Sequence, residues 1–271
     1  NIMLTSENPN NFLEKWYVVQ ILKEIYLVYG EIQKIQNPQH KALLSVILSR
    51  TMRSCRATSH SDLATLKDPV VTTYYCRKHG KLCKPLFSII KWWNTYTTDT
   101  LKRIEGFSRH RTDTFQLCLT GDSRGLNIVA SLSRQNPTFG KLVEKQKIRG
   151  VFSSPPYVGL INYHEQHAYA YDLFKFERRD EFEIGPLYKG SGLNAQESYI
   201  QGICDVLINA KKYLVPEFDI FLVANDKYNL YPKIAEMSGM QILEQFKRPV
   251  LNRTERDKGA YSEIIFHLIS E

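Results

Sequence analysis

The short apolar run Ile148 to Phe152 stops at Ser153-Ser154-Pro155-Pro156-Tyr157. Two consecutive prolines fix φ twice and remove two N–H donors, so the chain must leave any sheet here through a stiff turn. Two other runs end the same way. Phe115-Gln116-Leu117-Cys118-Leu119-Thr120 alternates like a strand and stops at Gly121-Asp122-Ser123. Asp219-Ile220-Phe221-Leu222-Val223-Ala224 has the texture of a buried strand and stops at Asn225-Asp226. Helical spacing fills the intervals. Residues 196–214 carry Ile200, Ile203, Val206, Leu207 and Leu214 on one side, and a further helix is predicted around Tyr231–Met237. Two closing strands are predicted near Ile242–Pro249 and Ser262–Ile269, joined by a polar linker containing Gly259. Strands alternating with helices make an α/β sheet with crossover connections. Ligands in such sheets sit beyond the carboxyl ends of the strands, the expected position of Asp122, Ser154 and Asn225.

The front of the chain reads differently. Val18, Ile21, Leu22, Ile25, Val28, Tyr29 and Ile32 recur at three- and four-residue steps and predict one amphipathic helix over residues 11–36. Asn37-Pro38 interrupts it, and a second helix is expected from Gln39 to Arg53. Residues 54–100 mix cysteine, histidine, lysine and tyrosine without a clear period, with a helix opening between Pro85 and Trp93. The boundary between a helical region, 1–110, and the α/β region, 111–271, is expected near residue 110.

Composition narrows the class. No apolar run approaches the ~18 residues that span a bilayer, and the first residues lack the basic flank and apolar stretch of a signal peptide. The five cysteines are an odd count, which argues against a disulfide framework and for a reducing, cytoplasmic setting. The formal net charge of +8 favours a polyanionic partner, nucleic acid above all.

The proline turn carries the sharpest chemistry. A hydroxyl at Ser154 and the outward carbonyls of a rigid turn accept hydrogen bonds, and an exocyclic amino group offers two donors. Accepting both protons localises the nitrogen lone pair for attack on a sulfonium methyl. Tyr157 offers a flat face on which an extruded base stacks.

On these residues the chain resembles the amino-methyltransferases that act on exocyclic nitrogens of DNA bases. Their motif reads Asp, Asn or Ser, then Pro-Pro, then Tyr or Phe, and stands here as Ser154-Pro155-Pro156-Tyr157. The resemblance covers roughly residues 111–271. It implies a Rossmann-like sheet dependent on S-adenosylmethionine, with Ser154, Pro155, Pro156 and Tyr157 catalytic. Asp122, Ser123 and Ser154 are the implied cofactor contacts. Tyr163 is the implied base-pocket residue, and double-stranded DNA the implied partner. The serine form is typical of members that make N4-methylcytosine, often within restriction-modification systems. Adenine-N6 methylation uses the same pocket chemistry and remains the alternative, as does a non-catalytic DNA-recognition subunit. The family's glycine-rich loop and ribose-binding acid are not found in this sequence. The resemblance therefore implies a second polypeptide or an upstream segment that carries them.

Two groups stand apart from that resemblance. Cys76-x2-His79-x3-Cys83 supplies three candidate ligands at short spacing, with Cys55 or His60 as a fourth for a structural zinc ion. Basic residues cluster at Arg50, Arg53 and Arg56 and again at Lys78 and Lys81, and these are the expected phosphate contacts. Residues 176–194, charged and then glycine-rich, are expected as a solvated loop or a mobile one near DNA.

Overall fold

The computed structural model describes residues 11–60, 66–250 and 261–271. The predicted linker around Gly259 lies outside them. In chain order the elements are α1 (Phe12–Trp16), α2 (Val19–Gln33), α3 (Pro38–Cys55), β1 (Tyr74–Cys76), β2 (Lys81–Cys83), α4 (Ile89–Ser108), α5 (Ile128–Gln135), α6 (Pro137–Gln146), β3 (Ile148–Ser153), α7 (Tyr163–Gln166), α8 (Ala168–Phe174), α9 (Leu193–Lys211), β4 (Leu214–Ala224), α10 (Tyr231–Met237), β5 (Met240–Val250) and β6 (Tyr261–Ser270). They form two compact units. The first comprises residues 1–113 and 163–179, the second 114–162 and 180–271. The division near residue 113 is close to the sequence boundary, but Tyr163–Arg179 groups with the front helices, which the sequence did not signal.

The first unit is helical around a core that includes Trp16, Ile25, Leu48, Met52 and Tyr169. The single helix expected over residues 11–36 is two, because Tyr17 and Val18 adopt extended backbone. Tertiary bonds hold that break. The buried Tyr17 hydroxyl donates to the Met52 carbonyl at 3.0 Å, and Ala57 N–H donates to the Trp16 carbonyl at 2.8 Å. Asn37 caps α3 by accepting from Gln39 and His40 N–H, with Pro38 at the first helical position. The mixed stretch resolves into an antiparallel hairpin, with Cys76 opposite Lys81, followed by α4.

The second unit is a four-stranded mixed sheet of order β3-β4-β6-β5 with α9 and α10 packed on it. β3 and β4 are parallel, and β6 runs antiparallel to both β4 and β5. Parallel β3 and β4 need a crossover, and α9 supplies its last element. Ile203, Leu207, Ile220, Ile234, Phe266 and Leu268 are central to the core. β5 is an edge strand and tolerates Pro249 there.

The strand expected over residues 115–120 is absent. The segment forms no ladder among the described residues. Its apolar side chains turn instead to the helices, and Phe115 stacks on Phe139 with ring centroids 5.0 Å apart.

Candidate active site

β3 ends at Ser153, and the proline turn emerges beyond its carboxyl end, beside the end of β4. The Ser154 hydroxyl donates to the Val223 carbonyl at 3.3 Å, which ties the two strand ends together. Donating its one proton leaves both oxygen lone pairs available to an incoming amine. The Pro155 carbonyl accepts no hydrogen bond among the described residues. The Pro156 carbonyl is already taken by the Tyr199 hydroxyl at 2.9 Å. Tyr199 also meets the Tyr231 hydroxyl at 3.0 Å, and burial pushes the Tyr231 phenol well above the ordinary range. The Tyr231 phenol therefore stays neutral, and the two tyrosines serve as fixed hydrogen-bonding posts beneath the turn.

Tyr157 is half-buried against the sheet core, and its hydroxyl donates to Glu263 Oε1 at 2.7 Å. Glu263 Oε2 accepts from Arg248 Nη1 at 3.1 Å across the β5–β6 ladder. The segment after the turn is pinned by the loop that precedes α9. Gly159 N–H donates to the Gly185 carbonyl at 2.9 Å, and Leu187 N–H to the Ile161 carbonyl at 3.2 Å. Tyr188 N–H donates to Asn162 Oδ1 at 2.9 Å. The stretch 180–190 is thus ordered by backbone pairing and two short 3-10 turns.

Asp122 and Ser123 occupy a turn ahead of α5. Asp122 is engaged by Arg124, whose Nη2 lies 2.7 Å from Oδ2 and whose N–H lies 3.0 Å from Oδ1. The Arg124 guanidinium holds the Asp122 carboxyl below its usual range. The nearly buried Asn209 of α9 anchors this turn by donating to the Ser123 and Leu126 carbonyls, both at 3.0 Å. An apolar cleft of about 560 Å³ opens nearby in the same unit, lined by Phe115, Leu117, Leu119, Leu132, Phe139 and Ile148. β3 borders it and pairs on one side only, among the described residues. Tyr163 begins α7 in the first unit and is 43% exposed.

Sequence reasoning missed Tyr199, Asn209 and Glu263. Tyr199 and Asn209 face inward from α9, a helix whose spacing shows only an apolar face. Glu263 is a largely buried carboxylate beside the apolar run Ile264–Phe266, the one signal that the sequence offers.

The basic candidates separate by burial. Arg53 and Lys81 are exposed, and Lys78 is partly so. Arg50 is committed to Asp99 at 2.6 Å and lies 4.4 Å from the Tyr96 ring centroid. Arg56 is 1% exposed, donates to the Arg53 and Gln166 carbonyls and lies over the Tyr169 ring. A side chain held this way cannot reach a phosphate, so Arg56 is a core residue. Cys55 is likewise corrected. It is fully buried among the helices, and burial pushes its thiol up to about 12. The group that does converge is His60, Cys76, His79 and Cys83, whose ligand atoms all lie within 4.8 Å of one another.

The chain is 50% identical over 260 residues, 96% of its length, to the type II methyltransferase M.MjaII of Methanocaldococcus jannaschii. It is similar to a methyltransferase over nearly its whole length. It spans about half, 49%, of that relative. The mixed α/β sheet agrees with a methyltransferase fold. No family profile and no solved structure matches the chain. Among the described residues no helix is long and apolar enough to cross a membrane.

Proposed function

We propose that this chain is the catalytic part of a site-specific DNA methyltransferase that transfers a methyl group from S-adenosylmethionine to the exocyclic amine of a flipped base, cytosine N4 foremost. The observation that carries the reading is the Ser154-Pro155-Pro156-Tyr157 turn, fixed beyond the end of a parallel strand with the Ser154 lone pairs and the Pro155 carbonyl available as acceptors. The similarity to a type II methyltransferase supports it independently.

The chain's own residues perform the nitrogen's half of the reaction. Ser154 Oγ and the Pro155 carbonyl accept the two N–H bonds and direct the lone pair out of the base ring. Tyr199 holds the turn from beneath through Pro156. When bound, S-adenosylmethionine would supply an electrophilic sulfonium methyl with a neutral thioether as leaving group, and Ser154 and Pro155 would hold the amine nitrogen that takes it. The amine's surplus proton then leaves to water. Binding is entropically costly, so a preset acceptor pair shortens the route to the transition state.

The donor set fits the cofactor in part. The Asp122 carboxylate keeps acceptor capacity beyond Arg124, and Ser123 lies beside it. A glycine-rich loop and a ribose-binding acid are lacking in the sequence. We assign those contacts to another polypeptide segment that adds strands along the unpaired side of β3 and covers the neighbouring apolar cleft. Arg53, Lys78 and Lys81 are the phosphate contacts in this reading, and Tyr163 belongs to the base pocket.

The test supplies the protein, with and without an added segment carrying the glycine-rich loop, with S-adenosylmethionine and mixed-sequence duplex DNA. Digested nucleosides are then weighed by mass spectrometry. N4-methylcytosine that vanishes with Ser154→Ala is expected. N6-methyladenine would keep the mechanism and change the base. No methylated base with the segment present would sink the catalytic reading.

A further inference from the structure

We infer that His60, Cys76, His79 and Cys83 bind one zinc ion that fixes the β1–β2 hairpin. This does not depend on the catalytic reading.

The geometry is specific. Cys76 Sγ lies 3.7 Å from His60 Nδ1 and 3.5 Å from His79 Nδ1, and Cys83 Sγ lies 3.6 Å from His79 Nδ1. Zinc binds sulfur near ~2.3 Å and imidazole nitrogen near ~2.0–2.1 Å, so the edges of its tetrahedron measure roughly 3.3–3.8 Å. The three distances fall in that interval. Ordinary hydrogen bonding accounts for them poorly. A neutral imidazole Nδ1 carries either one proton or one lone pair, yet that of His79 faces two sulfurs at nearly equal range. A central cation is what all four atoms have in common.

Charge agrees. Two thiolates and two neutral imidazoles cancel a divalent cation, so the site adds no net charge beside Arg77, Lys78, Lys81 and Lys84. Four protein ligands close the coordination sphere and leave no position for substrate, which makes the ion structural.

The short hairpin also suits such a support. Each strand of the hairpin has three residues, and the two form a separate sheet. An isolated pair this short is at best marginal in water. His60 follows α3 in the chain, so the ion would join the end of that helical segment to the hairpin. Its N–H already donates to the Tyr74 hydroxyl at 2.8 Å, and its ring lies 4.6 Å from that of His79. Lys78 and Lys81 belong to the hairpin turn and its second strand, so the ion would also fix where those two charges are presented.

The experiment uses the full chain purified without chelator. Metal analysis should find one zinc per chain. Cobalt added to the reduced, metal-stripped protein should give the intense visible absorption of a tetrahedral site and a thiolate-to-cobalt charge-transfer band. His60→Ala and Cys83→Ser should each weaken zinc binding about ten-fold or more, whereas Cys118→Ser, an exposed thiol in the other unit, should keep it. A wild-type protein with neither zinc nor a tetrahedral cobalt spectrum would overturn the inference, and that reading needs no variant to fold. Full zinc retention in both ligand variants would overturn it equally.

Discussion

The Tyr157 hydroxyl and Glu263 Oε1 are 2.7 Å apart, and that bond ties the proline turn to the β5–β6 pair at the other side of the sheet. Tyr157→Phe removes only the donor and leaves Glu263 with Arg248. The expected cost is about 0.5–1.5 kcal/mol of stability, measured by urea unfolding. Methyl transfer should fall by less than about ten-fold, whereas Ser154→Ala should lower it by roughly a hundred-fold or more because it removes an acceptor aimed at the reacting group. Equal losses in the two variants would mean that the phenol acts on the base directly.

Gly159 has φ +65°, and a Cβ there would lie 2.6 Å from the Gly190 carbonyl oxygen. Gly185 has the same φ, and its Cβ would meet Tyr199 Cδ2 at 2.7 Å. Left-handed backbone costs a residue with a Cβ about 1–2 kcal/mol, and forced contact adds about 1–3 kcal/mol. Gly159→Ala should therefore destabilise the second unit by at least ~2 kcal/mol in chemical denaturation. Gly125→Ala meets nothing within 4 Å and should stay within about 0.5 kcal/mol of the parent.

What the sequence disclosed follows from the range of the forces involved. The proline turn, α10 and the closing strand pair are written in local rules, and they stand where those rules put them. β4 begins at Leu214 rather than at Asp219, because the chain bulges past Pro216 before its register with β3 resumes at Gly150 and Asp219. Residues 115–120 have the alternation of a strand but no ladder, since pairing depends on a neighbour that alternation cannot supply. The break at Tyr17 rests on bonds to Met52 and Ala57, distant in sequence. At the site, Ser154 and Tyr157 were legible as a motif. Tyr199 and Asn209 act through carbonyls that only the fold brings near them. His60, and not Cys55, converges with Cys76, His79 and Cys83 for a related reason. Spacing cannot tell which of two residues near a helix end faces the core.

The arginines and lysines make a separable prediction. Lys78→Ala and Lys81→Ala should each weaken DNA binding and flatten its salt dependence by about one unit of log–log slope. Arg56→Ala should leave that slope unchanged, because the guanidinium is buried. It should instead cost about 2–5 kcal/mol, through lost packing on Tyr169 and orphaned acceptors at Arg53 and Gln166. Binding isotherms at several salt concentrations, paired with unfolding curves, distinguish the two classes.

Asp122 should make the turn ahead of α5 sensitive to acid. Hydrogen bonding from Arg124 lowers its carboxyl below the ordinary value of 3.8. A depressed folded value means the unfolded chain binds the proton first. The interaction then contributes fully above about pH 4 and is lost as pH falls from there through the folded value. Both side chains are partly open to water, so solvent screening keeps the effect small. Unfolding of the parent and of Arg124→Ala, followed from pH 7 down to pH 2, should give a stability gap that is constant above about pH 4 and closes below it. A gap that holds constant to pH 2 would mean that Arg124 acts through packing on Phe182, whose ring lies 5.6 Å from its guanidinium, and not through the carboxylate.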